Sequence, residues 1–243
     1  ELLAFGLITG FTSGFFGIGG GSILIPMLLV AGFAMKEAVA ISIMQMVFSS
    51  IYGSFLNSKK IKGLFRDGII LGVGASIGGL FSGYFLPSIP DIYLQYLFIA
   101  VLIYTIYTLF KAPASQEVIQ EDKNIFLLAF IGFCVGIFAM SIGIGGSLML
   151  LPILVQFLKY DLKIATALGL FFVIFSSIGG FISTSLYGNM LYYEGAIIGI
   201  GSLIGVYFGI KIKEKTKSTS YKKFVLLLNL FVLATMIYKT VEF

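Results

Sequence analysis

The chain has 243 residues, of which 58% are hydrophobic and 11% charged, with a formal net charge of +5. Soluble domains carry roughly 25% charged residues, so a fold surrounded by water is excluded and the surplus apolar surface must face lipid. Histidine is absent, and Cys134, the one cysteine, lies in an apolar run where its role is structural. We therefore expect a membrane protein without a disulfide, metal site, cofactor or enzymatic activity, whose positive charge reflects topology rather than nucleic-acid binding.

Uncharged runs follow one another along the chain, and most reach the roughly 17–25 residues that a helix needs to cross a bilayer. They are Leu2–Ala34, Ala38–Leu56, Gly68–Ile89, Ile92–Phe110, Ile125–Leu158, Ile164–Leu186, Gly195–Ile210 and Phe224–Tyr238. The last two are shorter, and the opening run of each half is longer than one span. The pattern predicts a long opening segment and three ordinary helices per half. Tyrosines near span ends are interpreted as an interfacial belt: Tyr104, Tyr107, Tyr192 and Tyr193.

The two halves repeat one pattern. The string G-x3-G-x6-GIGGG-x4-P, from Gly6 to Pro26, returns as G-x3-G-x6-GIGGS-x4-P from Gly132 to Pro152, at an offset of 126. After one inserted residue the offset is 127, and the string FSSI that begins at Phe48 then returns in register. We predict two transmembrane repeats and a polar cytoplasmic linker in which Pro113 ends the preceding helix: 1–112, 113–124 and 125–243.

Basic residues in short loops favour the cytoplasmic side, so their distribution indicates how each opening segment runs. If that segment folds back, fourteen basic residues lie inside and only Lys36 and Lys239 lie outside. If it crosses once, the division is seven inside against nine outside. The fold-back leaves an odd number of full crossings per half. We therefore predict an all-α polytopic membrane protein of two inverted-topology repeats, each a broken, re-entrant glycine-rich helical hairpin followed by three transmembrane helices.

The glycine cluster that opens each repeat is a poor helix, because each interior glycine costs about 0.5–1 kcal/mol relative to alanine. We predict half-helices on either side of unwound backbone: Leu2–Phe16 and Ser22–Phe33, then Phe126–Ser141 and Ser147–Leu158. The second half-helix of each pair would expose free N–H groups and a positive dipole end, which bind anions without a charged side chain. Inversion would place the two breaks around one site at the membrane midplane. Gly6, Gly10, Gly14, Gly132 and Gly136 are instead interpreted as helix-packing positions.

Hydroxyl and amide side chains within the spans complete the candidate site. Thr12, Ser13 and Ser141 also lie in the spans, and any such hydroxyl can instead bond the carbonyl one turn back. Gln45 needs partners in mid-span, and Phe172 replaces it in the second half. The predicted substrate-binding residues are Gly17, Gly19, Gly20, Gly21, Ser22, Gln45, Ser49, Ser50, Gly143, Gly145, Gly146, Ser147, Ser176 and Ser177.

The doubled glycine string resembles that of the sulfite exporter TauE/SafE family over nearly the whole chain. The resemblance implies a multi-pass carrier of the bacterial or archaeal plasma membrane for small sulfur-containing anions such as sulfite, thiosulfate or sulfoacetate. Its motif positions correspond to Gly17, Gly19, Gly20, Gly21 and Pro26, and to Gly143, Gly145, Gly146 and Pro152 in the second half. Ser147 stands in place of Gly21, and Met140 in place of Gly14. The resemblance leaves the particular anion and the oligomeric state open.

No acidic or basic side chain lies in mid-span, so an obvious proton relay is missing. The membrane potential supplies about 2.3 kcal/mol per 100 mV to a monovalent anion leaving a negatively polarised cell. The hypothesis is therefore uncoupled or weakly coupled export. An anion channel, a carrier for another small organic anion, and an assembly subunit with packing glycines remain alternatives.

Overall fold

The structure, a computed structural model, describes residues 1–61, 65–111, 124–160, 162–188, 190–216 and 218–242, and within them it contains helices and no strand. The helices are α1 Leu2–Phe16, α2 Gly21–Val30, α3 Met35–Ile61, α4 Phe65–Phe85, α5 Asp91–Lys111, α6 Ile125–Ser141, α7 Ser147–Pro152, α8 Leu162–Tyr187, α9 Tyr192–Lys215 and α10 Ser218–Glu242. The predicted linker 113–124, with Pro113, lies outside the described residues except for Asn124, whose side chain accepts from the Phe126 N–H and caps α6. Lys62, Lys123 and Lys217 of the charge count lie outside them too.

Six of the described helices, α3, α4, α5, α8, α9 and α10, are long and apolar enough to cross a membrane. The other four, α1, α2, α6 and α7, are shorter apolar helices. With 15 residues, α1 is about 22 Å long, whereas the hydrocarbon core is about 30 Å thick. The prediction of an all-helical membrane protein is confirmed, and each opening segment is a pair of short helices.

The first pair follows the sequence closely. The helix α1 spans the predicted Leu2–Phe16, and α2 begins at Gly21, one residue before the predicted Ser22. It ends at Val30 rather than Phe33, because Gly32 adopts a φ of +94° and the N–H of Phe33 bonds back to the oxygen of Leu28. Left-handed glycine is a common way to end a helix.

The second pair contains a change of helix type that the sequence did not indicate. The helix α7 covers Ser147–Pro152 and continues as a π-helical turn, Ile153–Phe157, so the helical segment ends one residue before the predicted Leu158. Proline lacks the N–H that would bond the carbonyl four residues earlier. That carbonyl belongs to Leu148, and the Thr105 hydroxyl of α5 donates to its oxygen at 3.2 Å. A neighbouring helix thus supplies the hydrogen bond that Pro152 removes.

Small residues let the helices of the bundle approach backbone to backbone, as predicted for the outer glycines of the motif. A Cβ on Gly6, Gly10 or Gly14 of α1 would lie 2.1–2.4 Å from a carbonyl oxygen of α9. In the second half, a Cβ on Gly132 or Gly136 of α6 would lie 2.2–2.6 Å from a carbonyl oxygen of α4. No side chain larger than hydrogen fits at these crossings without moving a helix.

The same close approaches give the helix directions. Gly6, Gly10 and Gly14 meet Ile198, Ser202 and Val206 in turn, so α1 and α9 run parallel. Glycines of α9 meet Met44 and then Phe48 of α3, which makes α3 parallel to them. The helices α4, α6 and α8 are mutually parallel by the same kind of pairing. This set runs antiparallel to α1, α3 and α9, because Lys213 at the end of α9 donates a hydrogen bond to Thr166 at the start of α8.

The bundle is apolar on its outside as well as inside. Large hydrophobic side chains are exposed on the outer helices, Phe110 and Phe126 by 75% and 84%. Such a surface suits hydrocarbon rather than water. The tyrosines assigned to the interfacial belt are all exposed: Tyr104, Tyr107, Tyr192 and Tyr193.

Candidate functional site

The backbone unwinds at both glycine clusters into the same conformation. Gly17, Gly19 and Gly20 have φ of +69°, +78° and +81°. Their counterparts Gly143, Gly145 and Gly146 have +67°, +86° and +82°. Side-chain-bearing residues rarely adopt this left-handed region, so six glycines are required by conformation alone. We refer to residues 17–20 as break one and to residues 143–146 as break two.

The two breaks lie against each other in the buried centre of the bundle. A Cβ on Gly21 would lie 2.1 Å from the oxygen of Gly143, and the same oxygen accepts from the Ser42 hydroxyl at 2.6 Å. Gly19 and Gly145 both face the side chains of Met46 and Val173. The contact also explains why Gly21 has Ser147 as its counterpart, because only the first position lacks room for a side chain.

Break one presents the start of a helix to a buried amide. Gly20 is the N-cap of α2, so the first N–H groups of that helix have no intrahelical acceptor. A Cβ on Gly20 would lie 2.9 Å from Gln45 Oε1 and 3.0 Å from Gln45 Nε2. Gln45 is fully buried, and neither of its polar atoms has a hydrogen-bond partner. An unpartnered buried amide costs about 1–3 kcal/mol, which makes Gln45 a candidate for contacting a bound ligand.

Break two is less polar. Phe172 takes the place of Gln45, and a Cβ on Gly146 would lie 2.5 Å from its ring. Ser147, at the start of α7, is fully buried with a hydroxyl that has no partner. Because α7 is a short helix that ends in a π-helical turn, the two breaks share their backbone shape but differ in the chemistry around them.

Two of the predicted serines lie within reach of a break and of their own helix. The Ser49 hydroxyl is 3.5 Å from the Gly19 oxygen and 3.4 Å from the oxygen three residues back on α3. Its counterpart Ser176 is 3.4 Å from the Gly145 oxygen and 3.3 Å from the oxygen three residues back on α8. Ser177 bonds a carbonyl of its own helix, whereas the buried Ser50 hydroxyl has no partner. Ser22 is buried at the start of α2. One serine of each pair therefore touches a break.

Outside the predicted set, Thr12 and Ser141 bond carbonyls of their own helices, as the plainer interpretation of a hydroxyl in lipid requires. The Ser13 hydroxyl is fully buried without a partner. This orphaned group lies on α1, one turn before break one.

Two residues near the breaks escaped the sequence analysis. Ser42 lies three residues before Gln45, so the two share a face of α3, and that spacing could have revealed it. Lys213 is only 1% exposed and donates to the Thr166 hydroxyl at 2.7 Å. It continues the row of small residues Gly201, Gly205 and Gly209 at intervals of four, the face of α9 that packs on α1.

A cavity of about 320 Å³ opens at the opposite end of the bundle from Lys213. It lies where α3 begins and α4 and α8 end, and Lys36, Leu86 and Thr184 are among its lining residues. Ala40 also lines it, and the preceding residue, Val39, packs against Gly143. The cavity and break two are therefore contacted by neighbouring residues of α3.

At the end of the bundle that contains Lys213, a side-chain hydrogen bond joins α4 and the segment before α8. The Tyr160 hydroxyl, before α8, donates to the Asp67 carboxylate of α4 at 2.5 Å. Burial, and then the neighbouring Asp67, raise the pKa of Tyr160 above its ordinary value, so the phenol keeps the proton that it donates. This contact holds the starts of α4 and α8 together.

Comparison with known proteins agrees with this architecture. The sequence model of the family described as sulfite exporter TauE/SafE matches residues 2–236, nearly the entire chain. The chain belongs to this family. It is therefore a membrane transporter, and with six apolar spans among the described helices it is a multi-pass protein of the plasma membrane.

Relatives of this TauE/SafE member occur in an archaeon and in a bacterium. The probable membrane transporter protein MJ0441 of Methanocaldococcus jannaschii is 28% identical over 231 residues, covering 88% of this chain and 86% of its own. The probable membrane transporter protein YdhB of Bacillus subtilis is 25% identical over 210 residues, covering 84% and 86%. YunE of the same bacterium, also a probable membrane transporter protein, is 23% identical over 245 residues, covering 88% and 90%.

Proposed function

We propose that this TauE/SafE transporter exports a small sulfur-containing anion, such as sulfite, thiosulfate or an organosulfonate like sulfoacetate, held at the membrane midplane between breaks one and two. The observation that carries the proposal is the buried, unpartnered amide of Gln45 at the start of α2. A helix start and an amide N–H both favour negative charge. The family's description as sulfite exporters supports the class of substrate.

The halves 1–112 and 125–243 are inverted repeats in this proposal. In the repeat, α1, α3 and α4 of the first half correspond to α6, α8 and α9 of the second. Helix pairings support this correspondence, because α1 packs on α9 as α6 packs on α4, and α3 packs on α9 as α8 packs on α4. The shared direction of α1 and α3 supports a fold-back, since the chain must return through α2 before α3 starts. The opposite directions of α3 and its counterpart α8 support the inversion.

The proposed site uses partial charges instead of ionised groups. Its donors are the first N–H groups of α2, the Gln45 amide and the hydroxyls near the breaks. The backbone glycines let an anion approach within hydrogen-bonding distance. The proposed binding residues are those predicted from the sequence: Gly17, Gly19, Gly20, Gly21, Ser22, Gln45, Ser49, Ser50, Gly143, Gly145, Gly146, Ser147, Ser176 and Ser177.

Export follows from the charge of the substrate. A monovalent anion gains about 2.3 kcal/mol per 100 mV when it leaves a negatively polarised cell, so no coupling ion is required. In the orientation that places most lysines inside, the end with Lys213 is cytoplasmic and the cavity beside Lys36 opens outside.

Binding of radiolabelled sulfite and thiosulfate to the purified protein tests the site, with Gly20→Ala and Gly32→Ala as a matched pair. Both replace a left-handed glycine, with φ of +81° and +94°, and carry a similar backbone strain of about 1–2 kcal/mol. A Cβ on Gly20 meets the Gln45 amide and the backbone oxygen of Thr9, whereas a Cβ on Gly32 meets nothing within 4 Å, so thermal unfolding of both variants accompanies the binding assay. We expect Gly20→Ala to lose binding and Gly32→Ala to retain it. Equal loss in both, or full binding by Gly20→Ala, would contradict the proposal.

A further inference from the structure

Lys213 is the one charged side chain found buried among the residues whose exposure the structure describes. Lys211 and Lys215, in the same turns of α9, are both exposed. The helix therefore directs a single ammonium inwards while its neighbours reach outwards. Burying an ammonium is costly, so ionisable groups enclosed within membrane bundles mark ion and substrate pathways.

The ammonium of Lys213 is connected to break one by two short routes. It donates to the Thr166 hydroxyl at 2.7 Å, and Thr166 packs on the break, since its backbone oxygen would lie 2.5 Å from a Cβ on Gly17. The ammonium also lies 5.7 Å from the centre of the Tyr221 ring. The Tyr221 hydroxyl donates to the oxygen of Phe16, the residue directly before the break, at 2.9 Å.

Helix packing explains this position. Gly205 and Gly209 of α9 lie against Phe11 of α1, and Gly209 also approaches Phe15. Lys213 is one turn further along the same face, because residues four apart on a helix lie above one another. The parallel course of the two helices therefore brings Lys213 level with the end of α1, where break one begins.

An anion moving past this end of break one meets an unfavourable field. The carbonyl groups at the end of α1 carry partial negative charge. Gly17 N–H covers the oxygen of Ser13, and Tyr221 covers that of Phe16. Those hydrogen bonds satisfy the carbonyl oxygens but add no net positive charge. The ammonium of Lys213 supplies the positive charge at this end of break one.

The opposite end of the bundle lacks this group. The two halves of the sequence are related by an offset of 127 residues, and at that offset the counterpart of Lys213 is Leu86. Leu86 is buried and lines the cavity beside Lys36. The path through the protein is therefore asymmetric, with a buried cation at one end and an apolar side chain at the equivalent place at the other.

We infer that Lys213 and Thr166 form a second anion-binding station between break one and the cytoplasmic end of α9. The transported oxyanion is held there by the ammonium of Lys213, and Thr166 positions that ammonium by accepting one of its hydrogen bonds. The inference rests on the proposed function, because the ion is the transported anion itself. The anion binds at this station when it enters from the cytoplasm and then moves to break one.

Initial rates of labelled thiosulfate transport in proteoliposomes test the station with three variants. Lys213→Met removes the charge and keeps a flexible chain, and it also removes the cost of burying an ammonium. Lys213→Arg keeps the charge. Lys211→Met is the matched control, because Lys211 is exposed on the same helix and lies over Tyr207.

We expect Lys213→Met to lower the transport rate at low thiosulfate concentration about tenfold or more, mainly through a higher KM, as for the loss of a charge-assisted hydrogen bond. Lys213→Arg should stay within about threefold of wild type and Lys211→Met should equal it. Thermal unfolding of each purified variant shows whether it is folded.

Three outcomes would overturn the inference. A folded Lys213→Met that transports like wild type removes the role of the ammonium. If Lys213→Arg falls as far as Lys213→Met, the charge is not what matters. If Lys211→Met falls equally, the effect belongs to general surface charge. Wild-type protein that carries none of sulfite, thiosulfate and sulfoacetate would instead contradict the proposed function on which the station rests.

Discussion

Replacing Gln45 with leucine should change stability and anion affinity in opposite directions. Both polar atoms of the amide are buried without a protein partner. Removing them relieves an unsatisfied burial that costs about 1–3 kcal/mol, while leucine keeps most of the volume. If the amide donates to a bound anion, the same change removes a hydrogen bond to a charged group, which contributes about 1.5–3 kcal/mol. Affinity should therefore fall roughly 10- to 150-fold.

Gln95→Leu is the matched control. Gln95, on α5 rather than at either break, is also buried and has an unpartnered oxygen. We expect it to gain stability, as Gln45→Leu does, with unchanged anion binding. The assay is thermal unfolding of purified protein without anion, followed by titration with sulfite and thiosulfate. A Gln45→Leu protein that is less stable than wild type, or one that binds both anions normally, would refute the reasoning.

Other changes test the helix contacts. Gly10→Ala should cost several kcal/mol and lower the midpoint of thermal unfolding by several degrees, because its Cβ would lie 2.1 Å from a carbonyl oxygen of α9; a neutral result would show that the helices separate freely. Ser42→Ala leaves the Gly143 oxygen without that donor and should cost about 1–3 kcal/mol in a denaturation assay, more than a surface serine would. Tyr160→Phe removes the bond to Asp67 and should cost about 1–3 kcal/mol. Since the pKa of Tyr160 is raised, the wild-type contribution should persist up to about pH 10 and decline above it, and an earlier decline would contradict that assignment.

The breaks could be predicted because glycine density is a local property. Each interior glycine weakens a helix whatever surrounds it, and α1 therefore ends at Phe16 as expected. The start of α2 at Gly21 differs by one residue, because glycine can begin a helix as well as serine can. The doubled spacing also identified the glycines that pack α1 on α9 and α6 on α4, since four-residue intervals define one helix face.

Features that depend on neighbouring helices could not be predicted in this way. The hydrogen bond that replaces the one removed by Pro152 comes from Thr105, which is far away in sequence. The difference between Gly21 and Ser147 depends on the crowding of Gly21 by Gly143. Lys213 looks like any lysine near a helix end until the packing of α9 on α1 is known. Tertiary contacts decide each of these cases.

The central claim, that a sulfur-containing anion crosses at the paired breaks, is tested most directly by flux in proteoliposomes with an imposed membrane potential and no pH gradient. The account predicts saturable sulfite or thiosulfate movement towards the positive side, and counterflow when unlabelled anion is placed opposite. It also predicts loss of that movement in Gly20→Ala and its retention in Gly32→Ala. Absence of any potential-driven flux by wild-type protein, or equal flux in both variants, would contradict it.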